Sequence, residues 1–156
     1  MEFIPTLLTC VIFFGQSNIP TLYRYIDNLQ NEATDYKNRI DSIKALGSVV
    51  PKGEIVLSAD IRDANKIRAY GSRGVYVSWK EGGITLLDGR GGIEWFTRIK
   101  NTQALLDKKD FQVVQEFMKE NNIHYFFYSD NFKFKNSDEL KKRTIMRVGS
   151  YALAHI

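Results

Sequence analysis

Between Asp60 and Arg98 the sequence gathers Arg62, Arg68, Arg73, Trp79, Lys80, Arg90, Trp95 and Arg98. Within that span, Gly89-Arg90-Gly91-Gly92 leads directly into a helical pattern. Glycines let a ligand approach the backbone, and the start of a helix presents unpaired N–H groups with partial positive charge. Arg90 adds a side chain able to grip a phosphate or carboxylate with two hydrogen bonds. The anion-binding candidates are therefore Arg68, Arg73, Lys80, Arg90, Gly91, Gly92 and Arg98, with Trp79 and Trp95 as aromatic candidates. The spacing matches neither the phosphate-binding Gly-x-x-x-x-Gly-Lys loop nor the dinucleotide Gly-x-Gly-x-x-Gly turn. A loop carrying surface arginines accounts for the same residues, and two tryptophans serve a core as readily as a ligand.

Other reactive residue types are sparse. Only His124 and His155 accompany the single Cys10, too few for a four-ligand zinc site, and one cysteine forms no intrachain disulfide. His124 lies in a run of aromatics with no carboxylate beside it in sequence, which reads as a core histidine rather than a general base. Asp60 and Asp63 could form an acid–base pair, but capping of the following helix explains them better. No activated serine or cysteine, no cofactor motif and no placeable pair of hydrolytic carboxylates is present, so neither a catalytic residue nor a cofactor is assigned.

The elements that must position these residues follow from periodicity. Leu22, Ile26, Leu29, Ala33, Tyr36, Ile40 and Ile43 recur at alternating spacings of four and three, one stripe of a long amphipathic helix, with Gly47 as its stop. That helix could pack on its own domain, form a stalk, or serve as a coiled-coil or docking strand. Glu54–Leu57 predicts a first strand, Asp60 or Asp63 to Ala69 a helix, and Val75–Trp79 a second strand. Ile93–Leu106 predicts another helix, and Asp110 caps the next, which ends at Asn121-Asn122. The nearly unbroken apolar run Ile123–Tyr128 suits a strand covered on both faces. A polar stretch from Asp130 to Lys142 holds a loop and a short helix. Thr144–Val148 and Tyr151–Ile156 then pair around a Gly149-Ser150 turn. The fold class is α/β: a small Rossmann-like sandwich with a central, mostly parallel sheet and an antiparallel C-terminal strand pair. An apolar N-terminal helix and the long amphipathic helix precede it. The organisation is an apolar membrane-associated segment over 1–21, an amphipathic helix over 22–47 and an α/β domain over 48–156.

At 44% hydrophobic and 26% charged, the 156 residues have the composition of one folded domain. Residues 1–60 carry five basic and seven acidic side chains, a sum of −2, whereas residues 61–156 carry seventeen and eleven, a sum of +6. The C-terminal surplus favours an anionic partner such as a phosphate, a lipid head group or an acidic glycan, or serves solubility alone. A net charge of +4, without basic and aromatic residues interleaved on a known module, argues against nucleic acid.

Phe3–Gly15 is strongly apolar but shorter than the roughly 20 residues that span a bilayer. Gln16, Ser17, Asn18 and Pro20 interrupt it, and Glu2 is the only charge before it, unlike the basic start of a signal peptide. It reads as the end of a last transmembrane helix, ahead of an atypical signal or anchor and a buried helix.

The stretch Ile67-Arg68-Ala69-Tyr70-Gly71-Ser72-Arg73-Gly74-Val75-Tyr76-Val77-Ser78-Trp79-Lys80, followed by Gly92-Ile93-Glu94-Trp95-Phe96-Thr97-Arg98, carries a resemblance. It resembles the C-terminal domain of poorly characterised bacterial multi-pass membrane proteins that look like lipid-linked-sugar glycosyltransferases. The likeness covers about residues 54–156, its specific motifs lying within Arg68–Arg98. It implies an extracytoplasmic domain following the last membrane helix, with Arg68, Arg73, Lys80, Trp95 and Arg98 matching the family pattern. It also implies a catalytic acid among the preceding membrane helices, which this sequence lacks, so the chain is not expected to transfer sugars alone. The expected function is a non-catalytic extracytoplasmic module of a membrane-bound polysaccharide or lipid-linked-sugar system. Its partners are a membrane, met through the N-terminal segment, and an anionic glycan or phosphate carrier. The alternatives are a sugar-phosphate or glycosyl transferase in its own right, or a structural protein-interaction domain.

Overall fold

The computed structural model describes residues 19–78 and 89–156. The Phe3–Gly15 run, Trp79 and Lys80 lie outside them. The chain divides into two compact units, Met1–Lys37 and Asn38–Ile156. In chain order the described elements are α1 (Ile19–Val49), β1 (Ile55–Ser58), α2 (Ile61–Lys66), a π-helical turn (Ile67–Gly71), β2 (Gly74–Val75), α3 (Gly89–Asp107), α4 (Phe111–Glu120), β3 (Tyr125–Ser129), α5 (Ser137–Lys142), β4 (Thr144–Val148) and β5 (Tyr151–His155). No described helix is long and apolar enough to cross a membrane.

The first unit contributes α1 up to Lys37. Its described side chains are almost all exposed, Tyr23, Tyr25, Leu29 and Tyr36 among them.

The second unit is a five-stranded mixed sheet in the order β2-β1-β3-β5-β4. β1 pairs in parallel with both β2 and β3, and β5 pairs antiparallel with both β3 and β4. Alternation along β3 explains its apolar run. Phe126 and Tyr128 join Leu57, Phe111, Val114, Met118 and Leu140 on one face. Tyr125 and Phe127 join Ile43, Leu46, Val50, Val56 and Ile67 on the other. Each face of the strand therefore has its own apolar cluster, as expected where helices cover both sides of a sheet. Truncating a fully buried ring such as Phe126 would cost about 3–5 kcal/mol.

The caps act as their residue types dictate. Asp60 accepts from the Arg62 N–H at 2.9 Å and Asp110 from the Gln112 N–H at 3.0 Å, satisfying first-turn donors of α2 and α4. Asp63 lies inside α2 and caps nothing. The hairpin turns at Gly149-Ser150 as its sequence predicts, Gly149 taking a φ of +57°.

Five expectations change. The sheet is mixed rather than mostly parallel, with two parallel and two antiparallel pairings. β2 covers only Gly74–Val75, so Tyr76–Ser78 of the expected second strand lie beyond it. α1 runs through Gly47 to Val49, where Pro51 ends it two residues on. Gly47 instead permits a close approach, because a Cβ built there would lie 2.6 Å from the Gly71 carbonyl oxygen. α3 begins at Gly89, so the glycine-rich segment is its first turn rather than a preceding loop. β3 starts at Tyr125, which leaves His124 just outside the strand.

Candidate functional site

The outgoing connections of β1 and β3 run in opposite directions. β1 leads through α2 to β2, and β3 leads through α5 to β4 on the other side. Such a divergence opens a crevice beyond the C-terminal ends of the two strands, the usual ligand position in open α/β sheets. Here a cleft of about 370 Å³ is lined by Ala59, Asp60, Arg62, Gln103, Asp107 and Phe132. Phe132 also lines a neighbouring cleft of about 600 Å³, within the range of small-molecule sites.

The larger cleft is built from three elements. The end of β3 and its following loop supply Tyr128, Asp130, Phe132 and Lys133; α5 supplies Ser137 and Lys141; β4 supplies Arg147. The Tyr128 hydroxyl hydrogen-bonds with Thr144 Oγ1 at 2.7 Å, and Arg147 pairs with Asp130. Lys141 Nζ lies 3.5 Å from Asp138. Three cations and one carboxylate thus line the cleft beside two hydroxyls and an aromatic wall, leaving a positive surplus.

Behind the smaller cleft lies a charged network. Arg39 reaches Asp60 and Asp63 with Nη2, each at 2.9 Å. Its Nε sits 2.6 Å from Asp63 Oδ1, an ion-pair contact that lacks hydrogen-bond geometry. Lys66 Nζ approaches Asp63 Oδ1 at 3.2 Å, Arg62 holds Asp60 at 2.8 Å, and the Arg39 guanidinium lies over the Tyr151 ring at 5.7 Å. Burial pushes Asp63 above the ordinary carboxylate range, against the pull of Arg39 and Lys66. Burial also raises Asp60, but the Arg62 side-chain and backbone hydrogen bonds, together with the charges of Arg62 and Arg39, outweigh it and hold that carboxyl below its usual value. Opposed shifts on neighbouring carboxylates can mark an acid–base pair. Asp63, however, has a side chain only 3% exposed and engaged by two cations, which is a structural arrangement.

The basic residues singled out in Arg68–Arg98 separate in space. Arg73 donates to the carbonyl oxygens of Val50 at 2.6 Å and Ser72 at 2.9 Å, and also to that of Gly47, clamping the C-terminus of α1. Arg98 pairs with Glu94 at 2.5 Å and lies 5.6 Å over the Tyr76 ring, which packs on Phe117 of α4. The two arginines therefore belong to opposite layers of the sheet and share no ligand. Arg68 is exposed on the π-helical turn. Trp95 Nε1 donates to the Ser78 carbonyl at 2.8 Å, tying α3 to the segment after β2. Arg90, Gly91 and Gly92 lie in the first turn of α3, with Gly92 buried. Lys80 and Trp79 lie outside the described residues.

His124 has the carboxylate partner that its sequence neighbours lack: Nδ1 is 3.0 Å from Glu54 Oε2. His155 stacks on it at 6.3 Å between ring centroids. Parallel pairing of Val56 with Tyr125 brings Glu54 and His124 together at the strand starts, away from both clefts. Among the described residues no group of three or more His, Cys, Asp or Glu side chains could hold a metal ion.

No family model matches the chain, and neither a curated protein nor a solved structure matches it.

Proposed function

We propose that the chain is a non-catalytic binding module of a membrane-bound polysaccharide or lipid-linked-sugar system. In this reading the α/β domain is Rossmann-like, lies outside the cytoplasm and takes a phosphate-bearing sugar. The observation that carries the ligand class is the cleft of about 600 Å³ at the end of β3. Lys133, Lys141 and Arg147 there offer charge-assisted hydrogen bonds to an anion, the Tyr128 and Ser137 hydroxyls suit sugar hydroxyls, and Phe132 offers an apolar face. The apolar Phe3–Gly15 run and the resemblance carried by Arg68–Arg98 support the membrane setting. The proposed ligand site thus moves from the Gly89–Gly92 segment to the end of β3, because Arg73 clamps the end of α1 while Arg98 lies over Tyr76 in the opposite layer, so the two do not converge.

The test is an NMR titration with a sugar 1-phosphate, the neutral sugar and inorganic phosphate. The phosphorylated sugar is expected to shift the amides of Phe132–Lys133, Ser137 and Lys141 most strongly. Shifts confined to Gly89–Gly92, or none with any of the three, would overturn the site.

A further inference from the structure

The upper part of α1 carries an apolar stripe that is exposed among the described residues. Ile26 is 36% exposed, Leu29 47% and Tyr36 55%, and Ala33 between them is exposed too. Further along the same helix, Ile43 and Leu46 are wholly buried in the core of the second unit. The apolar series does not drift around the helix as a period of 3.6 would. Its alternating spacings of four and three hold a period of 3.5, which keeps one seam facing a partner helix.

In heptad terms Ile26 and Ala33 fall at a, and Leu29 and Tyr36 at d. Glu32 is then a g residue and Lys37 the e residue five positions later. In a parallel pair of identical helices, each g residue faces the e residue five positions on in the other strand. Two-fold symmetry would therefore set each Glu32 beside a Lys37 of opposite charge, twice. An antiparallel partner sets g against g and e against e, and loses this match.

We propose that a second copy of this chain covers the stripe, as a parallel two-stranded coiled coil through Ile26, Leu29, Ala33 and Tyr36, in the register fixed by Glu32 and Lys37. About two exposed heptads make a weak seam, so the association is concentration-dependent. This inference is independent of the ligand proposed for the cleft.

The test uses the full chain in detergent with Cys10→Ser. Leu29→Cys is expected to form an intermolecular disulfide readily, and Asn31→Cys, on the outer face of the seam, is not. Glu32→Lys or Lys37→Glu alone is expected to weaken dimerisation about fivefold, and the double reversal to restore it. Leu29, Asn31, Glu32 and Lys37 are exposed, so their substitution leaves the fold in place. Equal cross-linking at residues 29 and 31, failure of the double reversal to rescue, or a monomer at the highest attainable concentration would overturn the proposal.

Discussion

Asp60 and Asp63 stand three residues apart on the same turn, yet their protons respond to opposite forces. Arg62 hydrogen bonds keep Asp60 ionised below the ordinary range, so its folded pKa is lower than its unfolded one. Stability from Asp60 is therefore present above about pH 3.8 and lost as pH falls through the folded value. Asp63 runs the other way. Burial raises its folded pKa, so its contribution is full below about pH 3.8 and declines as pH rises through the folded value. Asp60→Asn keeps a capping side chain and is expected to flatten the acid-side loss in urea unfolding. Asp63→Asn is expected to remove the decline on the other side. An unchanged pH profile in both variants would refute the assignment. The sequence names these carboxylates but not their partner, since Arg39 lies 21 and 24 residues upstream. The pairing of His124 with Glu54 is hidden for the same reason: 70 residues separate them, and only the parallel register of β1 and β3 makes them neighbours.

At the scale of elements, the C-terminus of α1 is held by two devices that meet at one place. Gly47 lets the π-helical turn come against it, and Arg73 satisfies the carbonyls of Gly47 and Val50 that the helix end leaves unpaired. Gly47→Ala is expected to destabilise the second unit by about 1–3 kcal/mol, because the obstructing atom is backbone oxygen and cannot rotate away. Arg73→Met is expected to cost about 2–3 kcal/mol, with Arg73→Lys recovering only part, since one ammonium replaces a planar fork of donors. Thermal or urea unfolding measures both, and sugar-phosphate affinity should be unaffected. Normal stability in Arg73→Met would return that arginine to the list of ligand groups. Element types along the chain were legible because hydrophobic period and capping residues are local signals: Asp60, Asp110 and Gly149-Ser150 act where the sequence places them. Gly47 reads as a helix stop because a glycine that ends a helix and one that admits a neighbour look alike in sequence. The close approach depends on Gly71, 24 residues away.

At the scale of the whole molecule, the positive surplus of residues 61–156 was legible but its focus was not. Sequence proximity draws attention to Arg68–Arg98, whose described arginines the fold distributes over both layers. The sheet instead collects Lys133, Lys141 and Arg147 from a loop, a helix and an edge strand that follow one another in the chain but carry no shared motif. Their exposure has a measurable consequence. Interactions of exposed charges weaken once their separation exceeds the Debye length, which is about 10 Å at 0.1 M salt. Binding of a sugar 1-phosphate at this cleft should therefore fall as salt rises, while the neutral sugar responds little. Lys133→Glu combined with Lys141→Glu is expected to weaken the phosphorylated ligand about tenfold at low salt and to reduce the salt dependence, with the unfolding midpoint little changed. Calorimetric titration at two ionic strengths separates these effects. Affinity that survives both reversals with its salt dependence intact would mean that the anion is held by other cations of the same half of the chain, and that the cleft at the end of β3 is not its site.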